Sequence, residues 1–315
     1  MRNSLVGSSA IIVTLLTLTG LSGCAMLGMK NIPVNELKRT YATPDDKYFA
    51  YQGMQVRYRD EGAGPAVVLL HGVCASLETW DGWVPYLKDQ YRVIRLDIPG
   101  FGLTGPAPDK AMYTRDNAIE FLDAFLTSLN ISSCAMVGNS LGGYLTWNYA
   151  LDHSDKVSKI ILIDTVGYNQ DFPMLISFAS NPVIRPFARR MMPRFFFDMA
   201  VRQVYGDKSK LTPEAQRRYF EFAMREGNKD AYVSVFTELK KRNQSPDLSK
   251  RVPEIKTPAL IMWGDKDAWI PYPEMDKWKK DLPSAMFITY PGAGHIPMEE
   301  IPEISVKDAP AFLKY

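Results

Sequence analysis

The sequence predicts an α/β protein built on a mostly parallel sheet, with a helical insertion between two parts of that sheet. Two observations carry this prediction. Short continuous apolar runs, such as Ala66–Leu70 (AVVLL), Val157–Ile163 (VSKIILI) and 259–263 (ALIMW), alternate with stretches of helical spacing. Such runs mark strands buried on both faces, and their alternation with helices marks a parallel sheet. From Gly167 to about Arg251 the strand runs vanish, and apolar helical stretches rich in Phe and Met replace them. An insertion of that kind reads as a cap above the carboxyl ends of the strands, where open α/β sheets bind ligands.

The elements follow in order. Lys47–Tyr51 and 55–60 (QVRYRD) form a starting pair of strands, and 61–65 (EGAGP) a turn. Ala66–Leu70 is a buried strand that ends in His71-Gly72-Val73, after which Ser76 begins a helix through Trp80, Trp83 and Leu87. Arg92–Leu96 (RVIRL) is the next strand. Residues 117–129 place Ile119, Phe121, Leu122, Phe125 and Leu126 at helical spacing. A strand and helix flank Ser140, and Val157–Ile163 follows. The cap stretches are 172–178, 182–192, 195–205, 215–224 and 231–239. The sheet then resumes with 259–263, a helix at 273–280, a strand at 285–290 and a last helix at 304–313. The expected division is 45–166 with 252–315 as core and 167–251 as cap.

Composition bounds the rest. The 315 residues are 46% hydrophobic and 23% charged, as in ordinary globular proteins. A net charge of +2 gives no argument for a nucleic-acid partner. Residues 1–23 read as a processing signal: Arg2, an apolar run at 10–18 (AIIVTLLTL), then Leu21-Ser22-Gly23-Cys24. This resembles the lipobox of bacterial lipoproteins. The resemblance implies lipidation at Cys24, a membrane anchor in the cell envelope and, with Ala25 next, an outer-membrane location. Residues 24–44 read as a polar tether. The remaining cysteines, Cys74 and Cys134, fall at opposite ends of parallel strands, roughly 17 Å apart, too far for a disulfide.

Residues 134–144 (CAMVGNSLGGY) hold G-x-S-x-G between a strand and a helix, the context of a nucleophile elbow. Four further stretches stand in register with it: His71-Gly72, Asp97-x-Pro99-Gly100-Phe101-Gly102, Gly264-Asp265-Lys266-Asp267 with Pro271, and Gly294-His295. From about Tyr41 to Tyr315 the chain resembles the α/β-hydrolases with a helical cap and an eight-stranded sheet. The resemblance implies Ser140 as nucleophile, His295 as base and Asp267 as the acid that orients it. It also implies backbone N–H donors at Val73 and Leu141 for a developing oxyanion. Asp265 is expected to cap a turn, and Asp164 is an alternative site for the acid. His71 is expected to shape the oxyanion loop, His153 to lie at a helix end, and Asp97 to hold a structural turn.

No metal-ligand cluster and no phosphate loop of the G-x-x-x-x-G-K type is present in the sequence. The expected chemistry is therefore cofactor-free acyl transfer on a small-molecule ester. Phe172, Phe178, Phe187, Phe195, Phe196, Phe197, Met174, Met191, Met192 and Met199 make the cap apolar, which favours acyl or aryl esters. The alternatives are hydrolysis of a carbon–carbon bond in ring-cleavage products, or a non-catalytic surface module. Arg185, Arg189, Arg190, Arg194 and Arg202 form a basic cluster opposed in sequence only by Asp198, suited to a solvated face or to anionic head groups.

Overall fold

A computed structural model describes residues 27–245 and 248–314. Its centre is an eight-stranded sheet in the order β1-β2-β4-β3-β5-β6-β7-β8. The strands are β1 (Lys47–Tyr51), β2 (Met54–Glu61), β3 (Ala66–Leu70), β4 (Arg92–Leu96), β5 (Cys134–Asn139), β6 (Val157–Ile163), β7 (Ala259–Gly264) and β8 (Met286–Tyr290). β1 pairs antiparallel with β2, and β2 with β4; all other pairs are parallel. The apolar runs explain the order: β5 and β7 are buried at every position and occupy the interior of the sheet. β1, with its alternating KYFAY, lies at the edge.

α1 (Val34–Tyr41) precedes the sheet, and the helices packed on it include α2 (Arg115–Ser128) and α3 (Leu141–Asp152). The cap contributes α4 (Met174–Ala179), α5 (Arg185–Ala188), α6 (Arg194–Val204), α7 (Pro213–Met224) and α8 (Asn228–Asn243). α9 (Glu274–Asp281) and α10 (Asp308–Lys314) complete the core. α3 is buried on nearly all sides, because the sheet lies behind it and α2 beside it. Two expected helices are shorter than their apolar patterns. Residues 76–87 form two separate turns, Leu77–Trp80 and Val84–Leu87. Within 182–192 only Arg185–Ala188 is helical. Pro182 and Pro193 bracket that stretch, and proline disfavours helix at the residue before it.

The tether expected at 24–44 needs correction over its described part. Ile32 N–H donates to Met224 O at 2.8 Å, and Glu226 N–H to Ile32 O at 3.0 Å. α1 then buries Leu37 against Leu103 and Phe222. Residues 27–44 therefore dock along the end of α7. Cys24 and the signal at 1–23 lie outside the described residues.

Asp97 is structural, as expected. Its carboxylate accepts from Leu77 N–H and Leu103 N–H, each at 2.8 Å, and lies 3.5 Å from Arg57. Arg57, fully buried, also meets Asp46 and Glu78 at 2.7 Å each. These paired charges tie β2 to the turns after β3 and β4. Cys74 and Cys134 are both free and buried.

Candidate active site

β5 delivers its last residue, Asn139, to the carboxyl edge of the sheet, and α3 begins one residue beyond Ser140. Between them Ser140 takes φ 54°, ψ −114°, a conformation that costs on the order of 1–3 kcal/mol and persists only where the surroundings impose it. Those surroundings are backbone. A Cβ on Gly138 would lie 2.2 Å from Gly142 O, and one on Gly142 would lie 2.1 Å from Leu70 O. Both glycines of the motif are thus required by close approach of strand and helix. Ser140 N–H donates to Ile163 O at 3.0 Å, which fixes the turn against β6.

His295 sits in the loop after β8. Its Nδ1 lies 2.7 Å from Asp267 Oδ2. The other oxygen of Asp267 accepts from Trp269 N–H and Ile270 N–H at 2.7 and 2.9 Å. A carboxylate so held presents one fixed lone pair to Nδ1, which must then carry the proton. Nε2 of His295 is buried and has no hydrogen-bond partner among the described residues. The ring stacks on Trp269 at 5.7 Å between centroids. Trp269 lines the same small cavity as Ser140, Leu141 and Val73. The structure thus gathers Ser140, Leu141 and Val73 around one space and joins His295 to Asp267 beside it.

Two residues that the sequence reading did not single out hold this arrangement. Asn139 donates from Nδ2 to Ile163 O at 3.1 Å and to His295 O at 2.9 Å, so the elbow and the histidine loop share one side chain. Glu300, buried, accepts from Gly294 N–H at 2.7 Å, Gly206 N–H at 3.0 Å and Asp207 N–H at 2.7 Å. It therefore joins the histidine loop to the end of α6 in the cap. His295 N–H adds a bond to Val204 O at 2.7 Å.

The remaining candidates fall away from the His295 ring or beside it. Asp164 accepts from Gly264 N–H at 3.0 Å, and the nearest ligating atoms of Asp164, Asp267 and His295 lie within 4.8 Å of one another. Burial, then the neighbouring Asp267 carboxylate, raise the Asp164 carboxyl well above its ordinary value and so favour its protonated form. Asp265 accepts from Gly292 N–H at 2.7 Å and caps the turn. His71 Nε2 accepts from Ile98 N–H at 3.0 Å, which leaves Nδ1 to donate to Gly72 O at 2.7 Å. Burial lowers its pKa to about 4, so the ring is neutral and braces the Gly72 loop. His153 stacks on Tyr149 at the end of α3, away from the cavity.

The family model for the alpha/beta hydrolase fold matches residues 65–302. The chain belongs to this family. Relatives with named activities include a 2-hydroxy-6-oxononadienedioate/2-hydroxy-6-oxononatrienedioate hydrolase of Paraburkholderia phymatum. That protein is 30% identical over 257 residues, 77% of this chain and 85% of its own. A 2-hydroxy-6-oxo-6-(2'-aminophenyl)hexa-2,4-dienoic acid hydrolase of Metapseudomonas resinovorans is 27% identical over 258 residues, covering 80% and 84%. Among solved structures, a meta-cleavage product hydrolase from Pseudomonas fluorescens superposes with a TM-score of 0.74 at 24% identity, covering 85% of this hydrolase and 97% of that chain. The expected fold is thereby shown, and the protein is a hydrolase.

Proposed function

We propose that this hydrolase cleaves neutral carboxylic esters with an apolar acyl or aryl part, through Ser140, His295 and Asp267. The carrying observation is the 2.7 Å contact of His295 Nδ1 with Asp267, which leaves a buried, unpartnered Nε2 on a ring whose stacking partner lines the Ser140 cavity. A free serine hydroxyl is a poor nucleophile and needs such a base. In this reading Ser140 Oγ attacks the carbonyl carbon and His295 Nε2 takes its proton. Asp267 keeps the imidazole in the required tautomer and stabilises its protonated form. The N–H of Leu141, at the first position of α3, is one that a helix leaves unpaired. With Val73 N–H, from the loop after β3, it stabilises the oxyanion, and the strained elbow sets Leu141 N–H beside the attacking Ser140. His295 returns its proton to the leaving alcohol, then activates water to release the acid from the acyl-enzyme.

The lining supports a neutral, apolar substrate. Around Ser140 lie Val166, Phe172, Pro173, Ile176, Leu239 and Ile270; Gln170 supplies an amide, and no lysine or arginine is among the described lining residues. A substrate carboxylate would find no cation in that cavity; Arg115 and Arg242 lie in the adjoining cavity that shares Leu141 and Leu239. The second reading, cleavage of a carbon–carbon bond in a ring-cleavage product by the same residues, draws on the named dienoate hydrolases at 27–30% identity. Measuring kcat/KM on p-nitrophenyl esters and on a 2-hydroxy-6-oxohexa-2,4-dienoate decides between them. Preference for the dienoate would overturn the ester reading. Fluorophosphonate labelling that survives Ser140→Ala would overturn both. The lipid anchor at Cys24 is a separate proposal: Cys24→Ser should make membrane retention reversible, so that high salt washes the protein off.

A further inference from the structure

The outer face of the cap carries an apolar groove of about 430 Å³ between α4, α5 and α6, floored by Leu175, Ile184, Ala188 and Met192. Its rim is exposed. Phe187 and Phe195 are 63% and 75% accessible and Phe178 about half so; Val183 and Met174, each next in sequence to a lining residue, are exposed as well. Isolated exposed apolar side chains are ordinary; a contiguous patch of this kind marks an interaction surface.

Charge narrows the partner. Of the five arginines nearby, Arg189 pairs with Asp230 and Arg194 with Asp198 at 3.3 Å. Arg185, Arg190 and Arg202 have no carboxylate partner among the described residues. On α6, Phe195, Met199 and Arg202 are four and then three residues apart, so they share one helical stripe. The apolar rim and the uncompensated Arg202 therefore share one face of α6, and Arg190 follows Phe187 by one turn, its N–H donating to Phe187 O at 2.8 Å.

Residues 27–29 lie at the same place. Gly28 O accepts from Met192 N–H at 3.3 Å, on the groove floor, and from Lys229 Nζ at 2.8 Å. Leu27 and Met29 beside it are exposed apolar residues. The segment that precedes them includes the uncharged apolar run at 10–18.

We propose that this cap face seats on an anionic lipid bilayer. Phe187, Phe195 and Val183 enter the boundary of the acyl region, and Arg185, Arg190 and Arg202 meet lipid phosphates. Large apolar residues beside basic ones are what interfacial binding uses, each basic residue contributing through the negative surface potential. A second copy fits less well: a twofold contact would set the same patch against itself and bring the arginines together. The 10–18 run laid into the groove would leave them uncompensated. Docking here also reaches the catalytic side, because α4 offers Met174 and Phe178 outward and Ile176 to the Ser140 cavity.

The test uses the full chain with Cys24→Ser, in which Cys74 and Cys134 are buried from labelling. An environment-sensitive fluorophore is placed on Phe187→Cys or, at the opposite end of β5, on the exposed Ser133→Cys. Vesicles of phosphatidylcholine and phosphatidylglycerol in equal parts carry a spin-label quencher just below the head groups. The expected result is quenching at position 187 several-fold stronger than at 133. Arg185→Glu, Arg190→Glu and Arg202→Glu together should reduce it by about half or more, with Tm unchanged to show that the variant is folded. Equal quenching at the two positions overturns the proposal, as does quenching at 187 that is the same in pure phosphatidylcholine and indifferent to the arginine changes. A fluorophore already in an apolar environment before vesicles are added also overturns it. Dependence on protein concentration would then assign the face to a second copy, and independence would assign it to residues 1–26.

Discussion

Asp267, and not Asp164, holds the imidazole of His295: Oδ2 lies 2.7 Å from Nδ1, while Asp164 spends an oxygen on Gly264 N–H at 3.0 Å. Asp267→Asn should leave the fold intact and lower kcat roughly 1,000- to 10,000-fold, because an amide at that position favours the wrong tautomer. Asp164→Asn should retain kcat within a few-fold. Steady-state kinetics on a soluble p-nitrophenyl ester checks the pair; a reversed order of effects would move the acid to Asp164.

Asp164→Asn also changes how stability responds to pH. Asp164 is raised well above its ordinary value, by burial and then by the charge of Asp267. The native state thus keeps a proton that the unfolded chain releases above about pH 4. Stability from this group is fully present below that point and falls as pH rises towards the folded pKa, by up to about 1.4 kcal/mol per pH unit. Asp164→Asn has no such proton. Its Tm relative to the native protein should therefore climb as pH rises above about 4. A flat difference would mean that Asp164 is ionised in the fold.

Glu300 joins three backbone N–H groups from two distant stretches. Glu300→Ala leaves the buried Gly294 N–H without an acceptor and removes the bonds to the more accessible Gly206 and Asp207 N–H groups, a destabilisation of about 1–3 kcal/mol. Because Gly294 precedes His295, kcat should fall with it, while KM for a small ester changes little. Glu300→Gln, which keeps one acceptor oxygen, should lie between. Thermal denaturation and kinetics on the three proteins check this; full activity in the alanine variant would show that the loop holds His295 without the clamp.

The docked N-terminal segment gives a further prediction. Leu37, 2% exposed, packs with Leu103 and Phe222, and Tyr41 OH donates to Glu221 at 2.7 Å. Leu37→Ala should destabilise by about 2–4 kcal/mol if this segment unfolds with the whole. The exposed Glu36→Ala should stay within about 0.5 kcal/mol. Denaturant unfolding measures both. A neutral Leu37→Ala would return residues 27–44 to the status of a tether.

These residues also show what the sequence could and could not tell. β3, β5, β6 and β7 are legible because strands buried on both faces leave continuous apolar runs, and Ser140 because its two glycines are forced by contact with neighbouring backbone. Asp267 and His295 are legible through local patterns, Gly264 to Asp267 and Gly294-His295. α1 was missed although Val34, Leu37 and Tyr41 sit at helical spacing; eight polar-looking residues beside a signal-like segment read as linker. Asn139 and Glu300 leave no local trace. Apart from the Glu300 bond to Gly294, six residues away, their partners are backbone atoms 24 to 156 residues distant, and that becomes visible only once the chain is folded.

The cavity over Ser140 is about 20 Å³, room for about one water, whereas small-molecule pockets run to several hundred Å³. Substrate entry therefore requires the roof to move. That roof is the start of α4, with Phe172, Pro173 and Ile176, and it is latched to the end of α8. Gln170 N–H donates to Asn243 Oδ1 at 3.0 Å, and Asn243 Nδ2 donates to Gln170 O at 2.8 Å. Asn243→Ala removes both bonds. At a net 0.5–1.5 kcal/mol each, this raises the open population on the order of tenfold. Binding that draws on the open state gains by the same factor while that state is minor. Acetate esters, which need little room, should respond less than octanoate esters. The expected outcome is a several-fold rise in the ratio of kcat/KM for p-nitrophenyl octanoate over acetate. Phe172→Ala should act in the same direction by enlarging the closed cavity. An unchanged ratio in both variants would place the barrier to entry elsewhere than in the 170–176 roof.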